Sequence, residues 1–391
     1  MKIFASIVLI FLIVSCTSNP EPQKSTIHVD MDNAVIQQIF NFKNARNSKA
    51  ILPFLTVDNP SHRYAAAMAL ASVQDSSSII DLAALLKDEY EEVRFAATYA
   101  LGLIKNPTAA NYLAEAFKGD SSRLVQSGIL EAIGRCGTEE HLRHLCVVRS
   151  YPTQDSILSE GLALGIYQFA LRGMVHVEGT TKIINDFIAN PAMSSKARFV
   201  AANYLSRAKG IDLSPYENIL INNVTEEKDP SILMFLVTAL AKSKTARAYK
   251  KLEQIYSQEM DYRVRCNILR GLQHFEYDSV KTIAFNALNS ANCHIQVTAA
   301  EYMYYNGSDK DAEHYFNLSN KTQNWSVSSL LLAASLRNTS YFNPQTKSYY
   351  SQQIIAKYKA SANPYEKGAL LIALGNYSWN YRFISNELFP G

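Results

Sequence analysis

Glycine and proline are scarce in this chain, at 15 and 12 of 391 residues. Both break helices, so their scarcity leaves helix open along the whole length. No Gly-x-Gly-x-x-Gly, Walker or Gly-x-Ser-x-Gly segment occurs. The usual sequence signs of nucleotide binding and of a hydrolase elbow are therefore missing. No segment alternates apolar and polar residues long enough to build a strand-rich domain. No Gly/Ser linker or low-complexity block follows residue 30, so no domain boundary is marked. Charge is nearly balanced, with 38 basic and 35 acidic residues. Nucleic acid needs a clustered basic face, and this balance argues against it. The densest basic run, Lys242, Lys244, Arg247, Lys250 and Lys251, reads as a solvated helix face.

What is present is a repeat. Arg63-Tyr-Ala-Ala-Ala-Met-Ala-Leu70 recurs 31 residues later as Arg94-Phe-Ala-Ala-Thr-Tyr-Ala-Leu101. A weaker copy is Arg198-Phe-Val-Ala-Ala-Asn-Tyr-Leu205. In one unit, Val93, Ala96, Ala97, Ala100, Leu101 and Ile104 fall on one helical stripe. Pro107 then opens a second helix, lined by Ala110, Leu113, Ala114 and Phe117 and stopped at Gly119-Asp120. A repeat holding two amphipathic helices cannot bury its apolar face alone and must stack on its neighbours. The alanine runs predict close helix approach. Arg63, Arg94, Arg198 and Arg265 occupy equivalent positions. They are expected to bond neighbouring acids or helix-end carbonyls, as a structural ladder.

The segment Glu91-Glu92-Val93-Arg94 to Leu101-Gly102 resembles the HEAT repeat in its short bacterial form. The resemblance is strongest over about residues 60–150, recurs near 192–208 and 259–275, and fades toward the C-terminus. It implies an all-α fold, a right-handed α-α superhelix (HEAT/ARM-like solenoid), and helix-pair counting gives about eleven pairs from about residue 31 to 388. It also implies a protein-binding surface rather than an enzyme. Some HEAT-repeat proteins are di-iron hydroxylases with His-Glu dipeptides, but none of the eight histidines here precedes Glu. No cofactor is expected.

The N-terminus reads as an address. Lys2 precedes the apolar run Ile3 to Val14, which is too short to span a bilayer. Ile13-Val14-Ser15-Cys16 resembles a bacterial lipobox, which implies acylation of Cys16. Residues 1–15 then form a lipoprotein signal peptide, 16–30 a flexible tether and 31–391 the solenoid. Without residues 1–15 the chain carries 37 basic and 35 acidic residues, net +2. Thr17, not an acidic residue, follows Cys16. The expected location is the cell envelope, lipid-anchored in the outer membrane and facing the periplasm.

Candidate chemistry is sparse. Cys136, His141, His144 and Cys146 are metal-ligand types within eleven positions. Zinc sites usually begin from closely spaced Cys pairs, so no metal is expected here. The alternative places His141 at an exposed helix start, His144 partly buried and the cysteines in the core. Cys136, Cys146, Cys266 and Cys293 are expected to be small buried apolar residues, although Cys136 and Cys146 could pair. Tyrosine is abundant, at 23. Many cluster late, among them Tyr302, Tyr304 and Tyr305, with Trp325. Two readings stay open: an aromatic contact surface built on Tyr304, Tyr305 and Trp325, or bulky core filling.

Residues 31–150 also resemble the HEAT-repeat region that precedes a cyclophilin-type peptidyl-prolyl isomerase domain in some bacterial envelope lipoproteins. The cyclophilin catalytic motif is absent. The resemblance implies a scaffold or substrate-binding part of such a system, with an isomerase or an unfolded client as partner. The chain stops at an apolar stretch, Phe383 to Phe389, where solenoids carry a polar cap; docking or a continuing chain is the expectation drawn from this.

Overall fold

The structure is a computed structural model that describes residues 27–148 and 156–389. Among these residues there are 22 α-helices and no strand. They form eleven pairs in chain order. The first six pairs are α1 (Ala34–Asn44) and α2 (Ser48–Ile51), α3 (Pro60–Val73) and α4 (Ile79–Ala84), α5 (Glu91–Ile104) and α6 (Pro107–Gly119), α7 (Arg123–Cys136) and α8 (Glu139–Val147), α9 (Ser156–Leu171) and α10 (Val177–Lys182), and α11 (Ser195–Arg207) and α12 (Glu217–Glu226). The last five are α13 (Pro230–Ala241) and α14 (Ala246–Gln258), α15 (Tyr262–Gly271) and α16 (Tyr277–Ala287), α17 (Cys293–Asn306) and α18 (Ala312–Lys321), α19 (Trp325–Asn338) and α20 (Pro344–Ala360), and α21 (Pro364–Leu374) and α22 (Tyr381–Leu388). This is the right-handed HEAT/ARM-like solenoid expected from the repeat.

Local chemistry starts and stops these helices. Asn59, Asn106, Asp229 and Asn363 each precede a proline at the first helical position. Their side chains accept the orphan N–H two residues on. At the other end, Gln74 and Lys105 close α3 and α5 in the left-handed conformation, with φ of 60° and 57°.

The odd-numbered helices pack one on the next as a single layer. The even-numbered helices touch their layer neighbours far less. The alanine-rich odd helices permit this close approach: Ala66, Ala67, Ala96, Ala97, Ala201 and Ala202 are fully buried. Between α7 and α9 the backbones are closer still. A Cβ on Gly134 would sit 2.3 Å from the Gly165 carbonyl oxygen. Tight spacing in one layer and wide spacing in the other curve the stack toward the odd layer, which lines its inner face.

One buried apolar cluster runs from Ile36 to Ala334. A smaller one, from Phe316 to Leu374, closes the last two pairs. Tyr304 packs against both. Among the described residues no helix is long and apolar enough to cross a membrane.

Candidate functional site

The repeated arginines sit one turn into the odd helices. Arg63 on α3 donates from Nε to Asp88 Oδ2 at 2.7 Å and from Nη2 to Oδ1 at 3.0 Å. Its Nη1 donates to the Val57 and Asp58 carbonyls. Arg94 on α5 repeats this on Asp120, at 2.7 and 3.2 Å, and on the Asp88 and Glu89 carbonyls. Asp88 and Asp120 lie in the turns that open α5 and α7, where each also accepts a backbone N–H, from Tyr90 and Ser122. Each pair therefore ties one unit to the entry turn of the next. Bidentate, charge-assisted bonds of this kind are the strong ones.

Arg198 reaches Glu227 Oε2 at 2.7 Å, but the approach is poorly aligned, and Arg198 Nε finds no hydrogen bond. Arg265 departs from the ladder. Its guanidinium lies over the Tyr256 ring at 4.5 Å, and its Nε is buried without a partner. The cause is in the next turn. Asp88 and Asp120 stand six residues before Arg94 and Gln126, but Ser290 stands six before Gln296. No acid is available at that place for Arg265.

Glutamine also fills the ladder position, which arginine counting misses. Gln37, Gln126 and Gln296 each donate from Nε2 to the carbonyl six residues upstream, at Met31, Asp120 and Ser290. Arg63 and Arg94 do the same with Nη1. The signal was the fixed six-residue offset from the entry turn.

The late aromatics divide. Tyr302 is 4% exposed and Tyr315 is fully buried, so these fill core. Tyr305 is 65% exposed, and Trp325 and Tyr262 are exposed as well. Trp325 lines a recess of about 500 Å³ across α15, α17 and α19, together with Tyr262, Cys266, Cys293, His294 and Val297. Tyr262 stacks on His294 at 5.1 Å. Tyr305 lines an adjoining recess of about 240 Å³ with Gln273 and Asn306. Arg270, Thr298 and Glu301 border both, so the two form one groove on the inner layer. Tyr304 does not line it. Its hydroxyl donates to Asn376 Oδ1 at 2.9 Å, and its ring meets Tyr305 edge-on at 4.7 Å. Arg337 caps both tyrosines, at 4.7 and 5.6 Å. Tyr304 thus supports Tyr305 from behind.

The cysteine–histidine segment is arranged for structure. His141 Nδ1 lies 2.9 Å from the Thr138 hydroxyl and closes a capping box at the start of α8. The expectation for the two histidines is reversed: His141 is buried and His144 is exposed. The capping bond draws the His141 ring in, while His144 lies on the outer side of the helix. Burial lowers the His141 pKa. Cys136, Cys146, Cys266 and Cys293 are all free thiols. Burial raises Cys136 to about 12 and Cys146 to about 11. Not all four are buried, contrary to expectation: Cys146 is half-buried and Cys293 exposed at the first turn of α17. Among the described residues no group of three or more His, Cys, Asp or Glu side chains is placed to hold a metal. Cys16 lies outside the described residues.

Residues 48–144 match the family described as HEAT repeats. No curated protein matches the chain. Among solved structures, importin beta aligns over 89% of this chain and 56% of its own, at 14% identity and a TM-score of 0.62. The chain thus spans little more than half the length of that relative, and at this identity the likeness is one of fold. A mutant of Kap121p aligns over 93% of this chain and 47% of its own, at 12% identity and a TM-score of 0.45.

Proposed function

We propose that the chain is a membrane-tethered, non-catalytic protein-binding scaffold of the bacterial cell envelope. The observation that carries the binding role is the groove over α15, α17 and α19. Its wall leaves Tyr262, Trp325 and Tyr305 exposed among the described residues. Large rigid aromatics of this kind give contact area at low entropic cost. The repeat match over residues 48–144 agrees with a stacked scaffold.

The lipobox-like Ile13-Val14-Ser15-Cys16 supports the tether. In this reading residues 1–15 are removed, Cys16 carries the acyl chains and 16–30 link the lipid to a solenoid of residues 31–391. Several acyl chains on one residue suffice for stable anchoring. The protein then faces the periplasm from the outer membrane. A peptidyl-prolyl isomerase or an unfolded client is the class of partner that the repeat resemblance suggests.

Two measurements test this. Cys16→Ala should move the protein from the membrane to the soluble fraction; unchanged membrane retention and processing would remove the tether. A Tyr305→Ala, Trp325→Ala double variant should lose partners crosslinked in native envelopes while melting close to wild type. Undiminished capture would remove the groove from the account.

A further inference from the structure

The odd helices run parallel, so their C-terminal ends line one edge of the inner face. From α9 to α19 every odd-numbered helix but α17 carries a base at that edge. Arg172, Arg207, Lys209, Lys244, Arg270 and Arg337 stand there, all exposed. Among the described residues none of the six makes an ion pair with a carboxylate. Arg172 donates to the Gly134 carbonyl at 3.0 Å, and Arg337 lies over Tyr304 and Tyr305. The nearby acids are few. Asp212 accepts from Ser214 and lies within electrostatic reach of Lys244 without an ion pair, and Glu301 is half-buried in the groove. Lys242 is turned inward, onto the Leu205 and Ala208 carbonyls, at 2.8 and 2.9 Å. A base near a helix C-terminus favours the helix dipole. That accounts for one base at each end, but not for exposed side chains without a bonded carboxylate on five of the six units.

The spacing defines what would complement them. Neighbouring helices lie about 8–10 Å apart, so the edge from α9 to α19 spans about 40–50 Å. An extended polypeptide advances about 3.3 Å per residue. Bases on neighbouring units then meet one residue in about three, with about six residues between Arg270 and Arg337, over about 12–15 residues in all. The groove with Trp325 and Tyr305 opens beside this edge, and Arg270 borders both of its recesses.

We infer that the basic edge and the groove together bind an extended acidic protein segment. Its carboxylates, about three residues apart and about six between Arg270 and Arg337, pair with Arg207, Lys244, Arg270 and Arg337. An apolar side chain between them enters the recess at Trp325. This rests on the protein-binding reading above and names the chemistry of the partner. An anionic bilayer is the competing source of negative charge. A flat surface cannot enter a recess on the inner face of a curved stack, so the geometry favours the polypeptide.

The test uses the chain from Cys16 onward and a labelled peptide of about 15 residues, with Glu at every third position and Leu or Trp between. Its Glu→Gln twin and vesicles containing phosphatidylglycerol are the comparisons. The acidic peptide should bind, and weaken steeply between roughly 50 and 200 mM salt. The Gln twin should bind at least about tenfold more weakly. Reversal by Arg207→Glu, Lys244→Glu, Arg270→Glu and Arg337→Glu together should weaken the acidic peptide by about tenfold or more. If that variant melts early, Arg270→Gln with Arg337→Gln keeps the test open, with a few-fold loss expected. Lys118→Glu, on an even helix, should leave binding unchanged. Equal binding of the Gln twin, or no binding of the acidic peptide, overturns the inference. So does tighter binding to the vesicles that is lost on reversal. If envelope partners still crosslink at Tyr305 in the reversed variant, the scaffold reading stands and this one falls.

Discussion

Arg94→Ala removes one half of a nearly buried ion pair. The Arg94 and Asp120 side chains are 15% and 4% exposed. Removing one partner of such a pair costs about 3–5 kcal/mol, because the remaining charge is left unpaired. Asp120 keeps the Ser122 N–H at 2.8 Å, which places the loss at the lower end, about 3 kcal/mol. Unfolding entropy near the melting point is about 2.1 cal/mol/K per residue. If all units melt together, the melting temperature should fall by about 4 °C. If the first units melt separately, as stacked repeats can, the fall is larger. Hydrogen exchange should localise the effect, with faster exchange on α5 to α7 and little change on α15 to α19. Arg265→Ala serves as the internal control. It loses a ring contact but no carboxylate, so the cost should be about 1 kcal/mol. Arg94→Met with Asp120→Asn should recover most of the loss. Unchanged melting and exchange in Arg94→Ala, or an equal loss in Arg265→Ala, would refute the ladder.

Three further outcomes are expected. Gly134→Ala drives a methyl group into the Gly165 backbone and should destabilise by about 1–3 kcal/mol, whereas Gly368→Ala meets nothing within 4 Å and should stabilise by up to about 1 kcal/mol in a denaturant titration. Burial lowers the Lys242 pKa from 10.5 to about 8, so the unfolded chain binds this proton more tightly and its burden on stability fades as pH rises between those values. Lys242→Met should remove that part of the pH dependence, and a melting difference from wild type that stays flat from pH 8 to 10.5 would contradict the assignment. A maleimide should modify exposed Cys293 in the native protein while buried Cys136 reacts only on unfolding, and equal native rates would contradict the burial described here.

The repeat was legible where one motif serves one purpose, as at Arg63 and Arg94. Arg94 and its two alanines fix a turn contact and a close helix approach, and both leave a fixed spacing in sequence. Arg265 shows where spacing fails. The arginine is in register, but its partner would stand in the next turn, where Ser290 replaces an acid. The groove was only half legible. Tyr302, Tyr304 and Tyr305 are near neighbours in sequence, yet one is buried, one reaches past the next pair to Asn376 after α21 and one is exposed. Which is which depends on packing against α15 and α21. Trp325 joins Tyr262 and Tyr305 through the stacking of three helices, which no local pattern encodes. The basic edge was hidden for the same reason. Its members are spread over five repeats, from Arg172 to Arg337, so no local run of sequence shows them together. The dense run from Lys242 to Lys251 is the basic cluster visible in sequence, yet Lys242 is turned inward and Arg247 contacts Glu217 at 3.2 Å.

The central claim is that the inner-layer groove is where a protein partner docks. A photo-crosslinking residue at Tyr305 tests it most directly, with the same residue at Tyr112, exposed on α6 of the outer layer, as the comparison. In native envelopes the probe at Tyr305 should give a discrete protein adduct that Trp325→Ala diminishes, and the probe at Tyr112 should not give that adduct. The same adduct from both positions, or from Tyr112 alone, would contradict the account.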